Sequence, residues 1–229
     1  MLILKKIKGI ILDAVFPHKC VCGEWGTLLC DSCKAQLKIK NTCPCPVCKK
    51  ISDYGRTCTA CRHKSELTGV MVLGSHKGIL KDLIWKYKYH FITDLSQVLA
   101  SLIFEKYGNF IRDKRFLVTY VPISRARLNW RGFNQAQLLA REVALKTNLH
   151  CENLLYKANK VESQVGHSRL ERLQNLRGKI RYVGPKEVST KKVLIIDDVY
   201  TTGATLEECA KVLREAGYRE IWGLVLSRD

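Results

Sequence analysis

The chain has 229 residues, and its 39 basic against 21 acidic residues give a formal charge of +18. Apolar residues at 46% and charged residues at 26% are the balance of an ordinary soluble protein. That balance excludes a disordered or fibrous chain and leaves room for one sizeable domain plus a small one. Residues 1–64 carry +8, 65–156 carry +6, 157–192 carry +7 and 193–229 carry −3. A basic field of this size draws polyanions, with nucleic acid and phosphorylated metabolites first, although net charge also serves solubility alone.

The N-terminal stretch MLILKKIKGIILDAVF places apolar residues at 3, 4, 7, 10, 11, 14 and 15. This spacing predicts an amphipathic helix over residues 1–17 that docks on the body of the protein, or lies on a membrane surface. Lys5, Lys6, Lys8 and Asp13 interrupt the apolar run, and no small-residue cleavage site follows. The stretch is therefore not a signal peptide, and it is too short and too charged to span a membrane. A cytoplasmic location follows as the expectation.

Nine of the eleven cysteines lie between residues 20 and 61. Without a secretory signal, paired cysteines read as metal ligands rather than a disulfide framework, with redox-active thiols a lesser alternative. Cys45, Cys48, Cys58 and Cys61 form two Cys-x-x-Cys knuckles, enough for one tetrahedral Zn²⁺ shell. Cys20, Cys22, Cys30 and Cys33 form a second set in which Cys20-Val21-Cys22 is one residue short of a knuckle, so His18 or Cys43 stands as a substitute ligand. Neither four-cysteine set leaves the open position of a catalytic zinc site, so the reading is structural zinc, one or two ions, in a double zinc ribbon over residues 18–64.

From residue 65 to 229 strand and helix patterns alternate, which predicts a mainly parallel sheet covered by helices on both faces. Val70 to Gly74 reads as a strand, followed by the helical pattern KGILKDLIWKYKYH and a second helix from Leu95 to Tyr107. Lys86-Tyr87-Lys88-Tyr89 mixes cations with rings, a weak signal for stacking on single-stranded nucleic acid. FLVTYVP is a buried strand, and the loop after it brings Arg125, Arg127 and Arg131 to a strand's carboxyl end. Guanidinium forks there suit pyrophosphate oxygens. A helix is predicted from about Phe133, with Asn134 and Gln135 as its capping pair or as ligand contacts. Residues 157–192 are basic and polar and read as a linker or a loop with a function.

VLIIDDVYTTGATL then joins an uninterrupted apolar strand, Val193 to Ile196, to the carboxylates Asp197 and Asp198, a hydroxyl-rich turn, and a helix closed by Gly217. Backbone N–H groups at that helix start make an anion site, to which Thr201, Thr202 and Thr205 add donors while Gly203 lets the backbone approach. Two aspartates beside it suit a ligand that also presents hydroxyls or Mg²⁺, as a phosphorylated sugar with a free diol does. The plain alternative is a solvated acidic turn after a buried strand.

IIDDVYTTGAT resembles the binding motif for 5-phosphoribosyl 1-pyrophosphate (PRPP) of type I phosphoribosyltransferases. The resemblance implies that fold, with Asp197 and Asp198 on the ribose hydroxyls, Thr201, Thr202, Gly203, Ala204 and Thr205 around the 5′-phosphate, and Mg²⁺ accompanying PRPP. The cysteine pairs placed before this motif make the chain similar to the ComF/GntX family, double zinc ribbon plus phosphoribosyltransferase-like proteins associated with DNA uptake in competent bacteria. Arg131-Gly132-Phe133-Asn134-Gln135 is the most recognisable part of that family's signature, and Gln164, Ser168 and Arg172 match its pattern further on. The family implies a loop near residues 157–192 that closes over PRPP, single-stranded DNA as a partner, and a DNA-uptake helicase alongside. Two functions follow as expectations: a PRPP-competent DNA-uptake protein, or a phosphoribosyltransferase acting on an acceptor that the sequence does not identify. A regulator that reads PRPP as a signal is a third.

Overall fold

The computed structural model describes residues 18–37, 39, 42–90, 92–158, 178–187 and 192–228. The predicted amphipathic helix over 1–17 lies outside them, as do Gln164, Ser168 and Arg172.

The described chain begins with a cysteine-rich segment holding little regular structure: α1 (Asp31–Ala35) and the short antiparallel pair β1 (Cys43–Pro44) and β2 (Ile51–Ser52). Then come β3 (Gly69–Ser75), α2 (Gly78–Tyr89), α3 (Leu95–Lys114), β4 (Leu117–Tyr120), α4 (Arg125–Arg131) and α5 (Gln135–Thr147). A small antiparallel pair, β5 (Leu155–Lys157) and β6 (Ile180–Tyr182), precedes β7 (Lys192–Tyr200), α6 (Ala204–Glu215) and β8 (Glu220–Arg228).

The central sheet has the order β3-β8-β7-β4 with every neighbouring pair parallel, as the alternating pattern predicts. Its two middle strands each carry an uninterrupted apolar run because both faces are covered there: Val193 to Ile196 on β7 and Ile221 to Leu226 on β8, with the Gly223 backbone between, are sealed from solvent. Helices α2, α3 and α5 pack together on one face, and α6 with the β5–β6 pair covers the other.

Two differences from the sequence reading bear on the site. Residues 125–131, read as loop, form the helix α4, because Ser124 accepts from the Arg127 amide at one end and Gly132, at φ 76°, closes the other. Strand β7 does not stop at Ile196 but runs through both aspartates to Tyr200. On one side it stays paired with β8 to the Tyr200–Arg228 register, while its pairing with β4 ends at Tyr120–Ile196. A cleft opens there.

The cysteine-rich segment is bolted to this body. Thr57 N–H donates to the Thr68 carbonyl, and Thr68 N–H donates to the Ile221 carbonyl at 2.7 Å. Glu207 on α6 accepts from the Ser65 hydroxyl and the Glu66 amide. Gly55 sits at φ 78°, where an added Cβ would run into the Val70 carbonyl, and a Cβ on Gly69 would meet the Trp222 ring at 2.5 Å. Only glycine lets these two backbones lie this close.

Gly55→Ala is therefore expected to cost about 2 kcal/mol or more of folding stability, through both the left-handed backbone and the clash at the joint. Urea unfolding followed by Trp fluorescence measures it. An unchanged midpoint would mean that the joint yields freely.

Candidate phosphosugar cleft and metal centres

The two cysteine sets gather as two tetrads, Cys20, Cys22, Cys30 and Cys33, and Cys45, Cys48, Cys58 and Cys61, with the sulfurs of each within 4.8 Å of one another. Cys22 Sγ lies 3.7 Å from Cys30 Sγ, and Cys48 Sγ lies 3.7 Å from Cys58 Sγ. A tetrahedron of thiolates at Zn–S bonds of ~2.3 Å has edges of about 3.8 Å, so the residues fit Zn²⁺. The short Cys20-x-Cys22 step does not spoil the first tetrad, and no substitute ligand enters it. His18 faces Asp94 at 3.9 Å, while Cys43 turns into the core against the Tyr107 hydroxyl at 2.9 Å. Burial pushes the thiols of Cys20 and Cys45 up, yet backbone N–H donors, Cys30 to Cys20 and Cys48 to Cys45 foremost, bring them down to about 7 and about 6. A lowered thiol pKa is the condition for a thiolate ligand.

At the carboxyl end of β7, a cavity of about 340 Å³ brings together Asp197, Asp198, Thr205, Arg127, Arg131, Asn134 and Gln135. Three stretches far apart in sequence thus meet at one place. Gly203, at φ 81°, starts α6 without a side-chain cap, and Thr202 Oγ1 accepts from the Ala204 amide at 3.3 Å. The amides of the helix's first turn are thereby left to whatever ligand sits before them. Thr201 and Thr202 are exposed on this turn beside the cavity. Arg125 lies outside the cavity, in a neighbouring depression with Leu128 and Tyr156.

The geometry gives the Arg-Gly-Phe-Asn-Gln run separate physical tasks. Gly132 ends α4, and Asn134 starts α5 by accepting from the Ala136 amide while its Nδ2 donates to the Val121 carbonyl, both at 3.0 Å. Gln135 is 1% exposed, its Nε2 has no partner, and the residue lines the cavity. Arg131 Nε is likewise buried without a partner. Orphan donors of this kind are costly unless a ligand takes them.

Two lysines complete the electrostatics: Lys88, which the sequence marked only as part of a stacking signal, and Lys157, which it did not mark. Lys88 Nζ, from the end of α2, lies 2.9 Å from Asp198 Oδ1. Lys157 lines the cavity half-buried, and burial, then the Arg127 charge, holds its pKa below the usual lysine value. Burial pushes the Asp197 carboxyl up to about 7, and the adjacent Asp198 charge adds to the rise, against the Asp198 amide that donates to Asp197 Oδ1 at 2.8 Å. The Lys86-Tyr87-Lys88-Tyr89 reading is corrected in part: Tyr87 is buried and donates to the Gln135 carbonyl, Lys88 is ion-paired, and Lys86 donates to the Cys20 carbonyl. Only Tyr89 of the four remains an exposed ring.

The comparisons agree with this geometry. A family model described as "Phosphoribosyl transferase domain" matches residues 131–227. "Competence protein F" of Haemophilus influenzae is 29% identical over 86% of this chain and 89% of its own. "Competence protein ComFC" of Bacillus subtilis is 28% identical over 82% of this chain and 79% of its own. "DNA utilization protein YhgH" of Escherichia coli is 26% identical over 88% and 91%. Fold and site thus define a phosphoribosyltransferase-type domain preceded by a cysteine-rich module with two tetrads fit for zinc. Within that class the chain is similar, along most of its length, to the competence proteins F and ComFC. Among the described residues no helix is long and apolar enough to cross a membrane.

Two outcomes are expected here. Metal analysis of the full chain finds two zinc ions, and Cys22→Ser or Cys48→Ser leaves one. Asp197→Asn raises stability at pH 8 by on the order of 2 kcal/mol, a figure discounted for partial exposure. The folded pKa of Asp197 lies above its unfolded value, so ionisation costs folding energy that grows as pH rises from about 4 to about 7. The advantage of the variant therefore shrinks toward pH 5 and is gone near pH 4, which thermal unfolding across that range checks.

Proposed function

We propose that the cleft binds PRPP, and that the protein handles incoming single-stranded DNA in natural competence, in the cytoplasm and alongside a DNA-uptake helicase. In this reading residues 18–64 are a double zinc ribbon and residues 65–229 the phosphoribosyltransferase-like domain. The observation that carries the PRPP half is the convergence, in one cavity, of two carboxylates, a helix start without a side-chain cap and orphaned cationic and amide donors. Asp197 and Asp198 accept from the ribose hydroxyls, the turn Thr201 to Thr205 wraps the 5′-phosphate, and Arg127, Arg131 and Gln135 face the pyrophosphate. Lys88 holds Asp198 until the sugar takes its place. Competence and DNA utilization are what the relatives' names say of them, and the charge of +18 supports carrying that role to this chain.

Magnesium enters only as the companion of the pyrophosphate. Asp197 and Asp198 suit a Mg²⁺ ion that keeps waters and is shared with substrate phosphates; among the described residues no third metal-ligating side chain gathers with them.

The second reading is an active transferase that passes ribose 5-phosphate to a nitrogen acceptor. The Asp197 carboxyl favours it, because a group held near 7 in the cleft exchanges a proton at working pH.

Calorimetry with PRPP and Mg²⁺ tests the first reading. Wild type is expected to bind saturably, and Asp197→Asn to lose at least tenfold in affinity. Absence of binding by the wild type sinks the PRPP reading, and pyrophosphate release in the presence of nucleobases would establish the second.

A further inference from the structure

Helix α4 is seven residues long and buries none of its side chains. A helix this short is not stable on propensity, and this one contributes nothing to the core. What it does is display Trp130, 63% exposed, at the rim of the cleft. Facing it, the last turns of α2 display Trp85 and Tyr89, 52% and 49% exposed. Arg131 lies between the two helices.

These groups are successive neighbours, their ring planes tilted from one to the next by 56° and 45° at the end of α2. The His90 and Trp85 rings are 4.5 Å apart between centroids, and Trp85 and Tyr89 are 6.1 Å apart. The Arg131 guanidinium then lies 5.5 Å from the Tyr89 ring and 5.5 Å from the Trp130 ring. Five planar groups thus follow one another across the surface, and Tyr89, Arg131 and Trp130 also line the cleft that holds Asp197 and Asp198.

An exposed apolar patch marks a contact surface, and its chemistry selects the partner. A protein partner or a lipid surface calls for aliphatic side chains around the rings. Here one large exposed aliphatic residue, Leu128, stands beside three exposed cations on α2 and α4, Lys81, Arg125 and Arg127, against the single exposed acid Asp82. Flat π-faces with cations beside them suit unpaired bases, which stack on rings and guanidinium planes while their phosphates meet the positive charge. A duplex hides those base faces.

We propose that His90, Trp85, Tyr89, Arg131 and Trp130 form a stacking track for the bases of a single-stranded nucleic acid, leading the strand across the mouth of the phosphosugar cleft. The proposal rests on the nucleic-acid half of the reading above; it shares Arg131 with the PRPP half, and Trp85, outside the cleft, separates the two in the test.

The test uses the full chain with its zinc and a fluorescent oligo(dT) of about a dozen nucleotides, long enough to cover such a track. Binding is followed by anisotropy beside an abasic strand of equal length and a duplex. Trp85→Ala and Trp130→Ala are each expected to weaken oligo(dT) binding about tenfold, within the range for losing one stacked base. Trp25→Ala, exposed but in the cysteine-rich segment, leaves it unchanged. The abasic strand and the duplex bind as weakly as the variants. Because Trp85 does not line the cleft, Trp85→Ala keeps PRPP affinity, and a thermal melt shows that it folds. Equal affinity for oligo(dT) and the abasic strand, or wild-type affinity in both variants, overturns the track and leaves phosphate binding. Absence of binding to any strand at low salt overturns the track and the nucleic-acid reading together, with the PRPP titration unaffected.

Discussion

The site depends on one mismatch of length. Strand β7 continues four residues past the point where β4 stops pairing with it, so Asp197 to Tyr200 have β8 on one side and an open edge on the other. A strand so placed is held rigidly by one neighbour while its other edge faces a cleft. The two carboxylates gain fixed positions without being sealed into the sheet. The same overrun delivers the turn at Thr201 and the first amides of α6 beside them, because strand, turn and helix are continuous in the chain. Had β4 been as long as β8, its backbone would fill the space that α4 and the start of α5 now border.

Charge in the cleft is arranged as a set of exchangeable pairs. Lys88 neutralises Asp198, Lys157 and Arg127 crowd each other, and Asp197 is pushed toward its neutral form. Lys157 and Asp197 are thereby both pushed away from their ordinary charge states. A ligand with anionic ends and a hydroxylated middle relieves each of them, which is the sense in which functional sites hold strain that the rest of the fold offsets.

Much of this could be read in the sequence, and the boundary is physical. The run from Val193 to Thr205 carries strand, acids, turn and helix start as local patterns, and the parallel sheet follows from alternation alone. The cysteine tetrads show through spacing. By contrast, Lys88 looks like one more surface cation on an amphipathic helix, and only the packing of α2 brings it to Asp198. Lys157 carries no local signal at all. Helix α4 was hidden because it lacks an apolar stripe, its start and stop set by Ser124 and Gly132 rather than by periodicity. Tyr87 and Tyr89 are indistinguishable by type, and helical phase decides that one is core and the other surface. Asn134 was legible as a cap, but the orphaned amide of Gln135 was not.

The order of strands across the sheet also dictates when the molecule can close. Strand β3 is the first of the four in the chain, yet among the described residues its neighbour in the sheet is β8, the last of them, which sits between β3 and β7. During synthesis Gly55 can already close on Val70 and Arg56 can bridge to Gly69, but the early strand lacks its sheet partner and Gly69 lacks the ring it packs against. The ring of Trp222 and the backbone of Ile221, against which that joint is built, arrive some 150 residues later. The β3–β8 pairing is thus one long closure, and contacts of such separation slow folding and expose an unpaired edge meanwhile. The tetrads lie wholly in the leading part of the chain, so an ion held there would give it a local order that needs none of the sheet.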